Sequence, residues 1–157
     1  MAGKVSVRCE AGSGAVVRRA AEILKREVRE RCGARTLAPG ARAELKIELK
    51  VKAGVGTEGF RIEDAAPGVI RIAGNDPRGV VYGVGKLLRL ARFDKGTFEP
   101  GAWRGTSVPE KPVRGMYFAS HFHNFYHDAP IEKVERYVEE LALWGCNTLA
   151  VWFDMHH

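Results

Sequence analysis

Apolar and polar positions change period along the chain, and the changes separate strands from helices. Lys4 to Cys9 (KVSVRC) alternates with the two-residue period of a strand. Glu44 to Val51 (ELKIELKV) does the same, with Leu45, Ile47, Leu49 and Val51 on one face and charged residues on the other. Between them Val17, Ala20, Ala21, Leu24 and Val28 share one helical stripe. Ser13 predicts the N-cap of that helix, which runs to about Arg31, and Gly33 its stop. Phe60–Asp64 and Val69–Ala73 read as a hairpin turning through Ala66, Pro67 and Gly68.

Asp76 and Pro77 stand in cap-then-proline order and open a second helix. Its buried face is read as Val80, Val81, Val84, Leu87 and Leu88, with Gly79, Gly83 and Gly85 permitting close approach to a sheet. A hairpin plus strands with one wet face predicts an α+β domain, a mostly antiparallel sheet with two helices on one side, over residues 1–105. Gly, Pro and turn residues dominate Phe93 to Pro112, which reads as a linker around a short extended piece, the linker proper being 106–112.

From Pro112 the pattern changes again. PVRGMYFAS (Pro112 to Ser120) is a buried-strand run, IEKVERYVEELALWG (Ile131 to Gly145) an amphipathic helix, and NTLAVWFD (Asn147 to Asp154) a second apolar strand. Strand, helix, strand makes one parallel βαβ unit, and residues 113–157 read as the start of a (β/α)8 barrel. A complete barrel takes roughly 250 residues, so the 157 here predict one small domain followed by an incomplete one.

Charge narrows the function classes. The net charge is +6, but residues 1–112 carry 22 basic and 13 acidic side chains whereas 113–157 carry 3 and 6. The basic residues are mixed with Glu on helix faces and strand edges, without aromatic platforms or zinc spacing, which argues against a nucleic-acid partner. No apolar run approaches the roughly 20 residues of a membrane span, and MAGKVSVRCEAG has no segment of signal-peptide length, so a cytoplasmic location is the default expectation. Cys9, Cys32 and Cys146 are odd in number and widely spaced, which suits neither a disulfide framework nor a zinc knuckle.

Two glycine-rich runs resemble nucleotide signatures and fail on context. Gly54-Val-Gly56-Thr-Glu-Gly59 is followed by a strand instead of the helix N-terminus that a pyrophosphate requires, and reads as a flexible hairpin loop. Gly79 to Lys86 has the wrong spacing before its Gly-Lys and then Leu87 in place of Ser or Thr. No cofactor is expected.

The densest chemistry is SHFHNFYHD (Ser120 to Asp128), the loop after the first barrel strand, with Asp154, Met155, His156 and His157 after the second. Both loops belong to the face of a β/α barrel that carries catalysis. Rings stack on apolar sugar faces while Asn, Asp and His divide the hydroxyl hydrogen bonds, so His121, His123, Asn124, Tyr126, Asp154 and His156 are the candidate carbohydrate contacts. His121-Phe-His123 also admits a different reading: two His on one strand face could chelate a divalent metal in an amidohydrolase-type barrel, with further ligands from later strands. A third reading makes the α+β domain a non-catalytic carbohydrate-binding or docking module, against which the few, scattered aromatics of residues 1–112 argue.

The order of parts resembles the non-catalytic second domain and barrel start of family 20 β-hexosaminidases and family 67 α-glucuronidases. The most telling piece runs from Asn75 through Tyr82 to Leu88, in the DERGVLYGV style of that domain, joined about 25 residues later to Arg114-Gly115. The resemblance implies a glycoside hydrolase in which an Asp that orients the substrate acetamide and a Glu acid follow the fourth strand, beyond His157, so the chain by itself is expected to be inactive. Arg114 is then a structural residue at the foot of the first strand. The chain also departs from these families: Ala119 stands where hexosaminidases carry an Asp, Phe122 replaces a sugar-gripping Arg, and only His123 matches its neighbouring His. The Asn-His-Trp-Asp type run of the α-glucuronidases is missing.

Overall fold

A computed structural model describes residues 1–119 and 125–152, apart from the side chains of Ala119, His127 and Trp152. The chain forms two compact units, Met1–Pro109 and Glu110–His157.

In the first unit, strands β1 (Lys4–Cys9), β2 (Arg35–Leu37), β3 (Leu45–Val51), β4 (Phe60–Ala66), β5 (Val69–Gly74) and β8 (Gly105–Ser107) form one sheet in the order β2-β1-β3-β5-β4-β8. Helices α1 (Ala15–Cys32) and α2 (Pro77–Leu90) pack on the sheet and on each other. Val5, Val7, Ile47, Leu49, Ile62 and Ile72 from the strands meet Val17, Leu24, Val28, Val80 and Leu87 from the helices, all almost wholly buried. The fold is α+β.

Its sheet is mixed, which corrects the expectation of a mostly antiparallel one. β1 runs parallel to β2 and to β3, and β3 parallel to β5; only β4 is antiparallel, to β5 and to β8. The strands alternate because helices cover a single face of the sheet, not because their neighbours run the other way. Periodicity reports burial, and parallel and antiparallel strands with one wet face share it.

α1 ends as expected, with Gly33 in the left-handed region (φ 73°) and its N–H on the Arg29 carbonyl at 2.9 Å. Its start differs. Gly14 is the N-cap, and the Ser13 hydroxyl donates to the Glu10 carbonyl at 2.7 Å instead of capping the helix, so it closes the preceding turn. In α2 the buried ring is Tyr82, while Val81 is half-exposed.

The segment read as a linker is largely part of this unit. β6 (Arg92–Asp94) and β7 (Thr97–Glu99) make a hairpin in which Phe98 is fully buried and bridged by backbone hydrogen bonds to Ala2 (2.8 and 2.9 Å). Arg31 lies over the Phe93 ring, 3.6 Å from its centre, tying the hairpin to α1. β8 then extends the sheet, with Arg61 Nε to Thr106 Oγ1 at 3.0 Å and Arg104 Nε to Asp64 Oδ1 at 2.8 Å. Turn residues punctuate a domain internally as readily as they join two.

The glycine-rich run 54–59 is not a free loop. Asn75 Oδ1 accepts from the N–H groups of Gly54 (2.9 Å) and Val55 (3.2 Å), and Asn75 N–H donates to the Gly59 carbonyl (2.8 Å). One carboxylate oxygen of Asp76 caps α2 through Gly79 N–H (3.0 Å) while the other accepts from Glu58 N–H (2.6 Å). Glu58 adopts φ 56°, which costs a non-glycine residue on the order of 1–2 kcal/mol, and its buried carboxylate is held by Arg78 at 2.8 Å. A side chain at Gly79 would collide with the Gly59 carbonyl oxygen, and one at Gly83 with Ile72, so α2 can sit this close only with glycine at both positions.

On the wet face Arg8, Glu48, Arg71 and Glu63 stand directly opposite one another on four adjacent strands. They form an alternating ladder with separations of 2.5, 3.0 and 3.3 Å. Burial opposes the charge on Glu48, but hydrogen bonds from Arg71 and Arg8 outweigh it and hold its carboxyl below the ordinary value near 4.5.

Two outcomes follow for stability. Asp76→Ala removes a helix cap and leaves the Glu58 N–H without its acceptor, so urea unfolding of the full chain should show a loss of about 1–3 kcal/mol; an unchanged midpoint would contradict the role given to Asp76. A depressed folded-state pKa stabilises above the unfolded value and is lost as pH falls through the folded one, so the wild type should lose stability below about pH 4.5 more steeply than Glu48→Gln, as read from thermal midpoints.

Candidate functional site

The second unit contains β9 (Gly115–Ala119), the short helix α3 (Phe125–Asp128), α4 (Ile131–Leu143) and β10 (Thr148–Trp152). β9 and β10 are parallel, paired from Gly115 opposite Thr148 to Ala119 opposite Trp152. Pro130 opens α4, and Glu132 in its first turn complements the helix dipole.

The strands are fastened at their N-terminal ends by Arg114 and Asn147. Asn147 Oδ1 accepts from Arg114 N–H (3.0 Å) and from the Thr148 hydroxyl (3.0 Å), and its amide donates to the Pro112 carbonyl (2.8 Å). The Arg114 guanidinium donates to the carbonyls of Gly145 (2.7 Å) and Lys111 (2.6 Å), satisfying loop oxygens that no sheet neighbour reaches. Arg114 therefore has the structural role expected of it. Asn147 is not among the residues the sequence pattern points to, and its type alone gives no signal, because two of its three partners lie 33 and 35 positions away.

Towards the other end of β9 an aromatic cluster forms. Phe118 is buried and stacks on Tyr126 with ring centres 4.0 Å apart and planes 17° from parallel; Tyr137 of α4 and Phe125 complete the group at 5.6–6.1 Å. Burial and a hydrogen bond with Tyr137 push the Tyr126 phenol above its ordinary pKa, so it stays protonated across the physiological range. Tyr126 is half-buried. Phe118 and Tyr137, absent from the sequence candidates, share its cluster.

Of the other candidates, His121, His123, Asn124, Asp154 and His156 lie outside the described residues, so the geometry bears on Tyr126 alone. Among the described residues no three His, Cys, Asp or Glu side chains gather as a metal site, and no helix is long and apolar enough to cross a membrane.

Comparison with known proteins supplies the class. The sequence profile described as glycosyl hydrolase family 20, domain 2, matches residues 1–113. The chain belongs to that family. Among solved structures it is similar to a family GH115 4-O-methyl-α-glucuronidase with specificity for decorated arabinogalactans (TM-score 0.72, 19% identity, covering 95% of this chain and 25% of that one). It is also similar to the GH20 exo β-N-acetylglucosaminidase of Vibrio harveyi (0.70, 20% identity, 95% and 22%). A third match is the N-acetyl-β-hexosaminidase of Streptomyces plicatus (0.65, 23% identity, 93% and 29%). At these identities the likeness is one of fold, and the chain spans about a quarter of the length of these structures. No curated protein matches the sequence.

Asn147→Ala deletes three hydrogen bonds at the foot of the strand pair at once. Protease cleavage within residues 113–152 should quicken by about tenfold while residues 1–109 remain as resistant as before; equal rates in variant and wild type would remove Asn147 from this role.

Proposed function

We propose that this chain is the accessory α+β domain and the first βαβ of the catalytic (β/α)8 barrel of a glycoside hydrolase. The family match over residues 1–113 carries the reading, because that domain is described as part of glycosyl hydrolases. The second unit supports it physically. A parallel strand pair is ordinarily covered on both faces, yet Met116, Tyr117, Leu149 and Val151 are 38–52% exposed, as surfaces awaiting further strands and helices would be.

In this reading residues 108–112, after β8, lead from the accessory domain into the barrel. His121, His123, Asn124, Tyr126, Asp154 and His156 contribute to the sugar-binding rim, for which the parallel register offers support: β9 and β10 end level with each other, Ala119 against Trp152. The reaction is hydrolysis of a glycosidic bond by two carboxyl groups, one donating a proton to the leaving oxygen. By resemblance to family 20 those groups follow later strands, so the substrate is a carbohydrate handled by the longer protein, and residues 1–157 alone do not turn it over. The neighbours' substrates, N-acetylglucosaminides and glucuronosides, mark the classes to try first.

The 157-residue chain should bind a hydrophobic dye such as ANS through the open strand faces and hydrolyse none of a panel of aryl glycosides. Turnover of any of them that survives repurification would overturn the division of labour proposed here, and absence of dye binding would show that the strand faces are already covered.

A further inference from the structure

The wet face of the first unit's sheet is strongly structured in charge, and neither the family match nor the glycosidase reading assigns it anything. Its ladder Arg8–Glu48–Arg71–Glu63 pairs its own charges. The next row does not. Lys50, Ala73 and Arg61 stand opposite one another on β3, β5 and β4, so two cations flank a small side chain two strand spacings apart, about 9–10 Å. Lys52 continues β3 beside them, its N–H on the Gly74 carbonyl at 2.8 Å.

Ala73 leaves a slot between the cations. An open cleft of about 180 Å³ is lined there by Lys50, Lys52, Arg61, Glu63 and Ala73 among others, and a second of about 290 Å³, whose charged lining is Arg8, Glu10, Glu48, Lys50 and Arg71, adjoins it through Lys50. Lys46, Lys50 and Lys52 make no ion pair among the described residues, and Arg61 binds only a hydroxyl, Thr106. Glu10 and Glu63 line these clefts without pairing with Lys50 or Arg61, so the row keeps cations that no ion pair among the described residues neutralises, beside a ladder whose charges cancel.

From this arrangement we infer that the face is an accessory binding surface for an acidic polysaccharide, held by charge and not by the aromatic stacking that this domain lacks, with Lys50 and Arg61 gripping a sugar carboxylate over Ala73. A uronate chain offers both kinds of group that the face can use. Its carboxylates answer the cations, and its hydroxyls donate to Glu63 and Glu48, which are acceptors only. A phosphodiester chain meets the same repulsion from those glutamates but has far fewer hydroxyls to donate to them, and no aromatic side chain projects from this face to stack its bases. The choice of a polysaccharide rests in part on the glycosidase reading, but the surface needs no turnover to be tested and can fail without it.

Affinity electrophoresis of the full chain through gels containing polygalacturonate, at 20 and 200 mM salt, tests the inference. Retardation should be strong at low salt, absent in gels containing neutral galactan, and weakened at least fivefold by K50Q/R61Q. The double variant R42Q/K95Q, which removes the same charge from two exposed loops, should match the wild type. Thermal midpoints of both variants report whether the fold is intact. No retardation of the wild type, equal loss in the two variants, or tighter binding of single-stranded DNA than of polygalacturonate would each overturn the assignment.

Discussion

Everything in the first unit depends on two adjacent side chains between β5 and α2. Asn75 and Asp76 together take up the N–H groups of Gly54, Val55, Glu58 and Gly79, so one dipeptide both starts the helix and closes the loop that leads into β4. Four backbone donors find acceptors there, each worth on the order of 1 kcal/mol net, and the N–H groups of the buried Glu58 and Gly79 would cost more if left without one. The geometry then dictates the neighbouring residues. Gly79 has to lie against the Gly59 carbonyl, Gly83 against Ile72, and Glu58 is held in a left-handed conformation by the same carboxylate that caps the helix.

The same geometry bears on the stretch from Asn75 to Leu88, on which the sequence resemblance chiefly rests. Its residues are constrained twice, by helix initiation and by contact with a loop some 20 positions earlier. The helix start was legible in the sequence, since Asp76 and Pro77 act on their immediate neighbours. The fate of the glycine-rich run was not, because nothing within it announces that its N–H groups are answered by Asn75 and Asp76. Ser13 shows the same limit from the other side: a residue of capping type had a nearer partner in Glu10 and left the cap to Gly14.

Strand direction was the larger misreading. Burial patterns placed β1, β3, β4 and β5 correctly and identified the face that receives the helices, yet three of the sheet's five pairings are parallel. The hairpin at Ala66–Gly68 was legible because its turn chemistry is local, and it was wrongly extended to the rest of the sheet. The candidate site was legible as a cluster of residue types more than as a geometry. Only Tyr126 has a described position, where it shares its surroundings with Phe118 and Tyr137, whose partnership no spacing rule would have revealed.

The two units differ in how fully they satisfy themselves. The first has a continuous apolar core, its polar junctions answered, and a charge ladder on its wet face. The second has two parallel strands locked at one end by Arg114 and Asn147, with apolar residues still in water. Native-state hydrogen exchange of the full chain tests this contrast most directly. The amides of Glu58 and Gly79, together with those of β3 and β5, should exchange only through global unfolding of the first unit, while those of β9 and β10 exchange through a far less costly opening. Rapid exchange at Glu58 and Gly79, or equal protection in both strand sets, would contradict the picture of a self-sufficient domain fastened at Asn75–Asp76 and a second unit whose strand faces stay open to water.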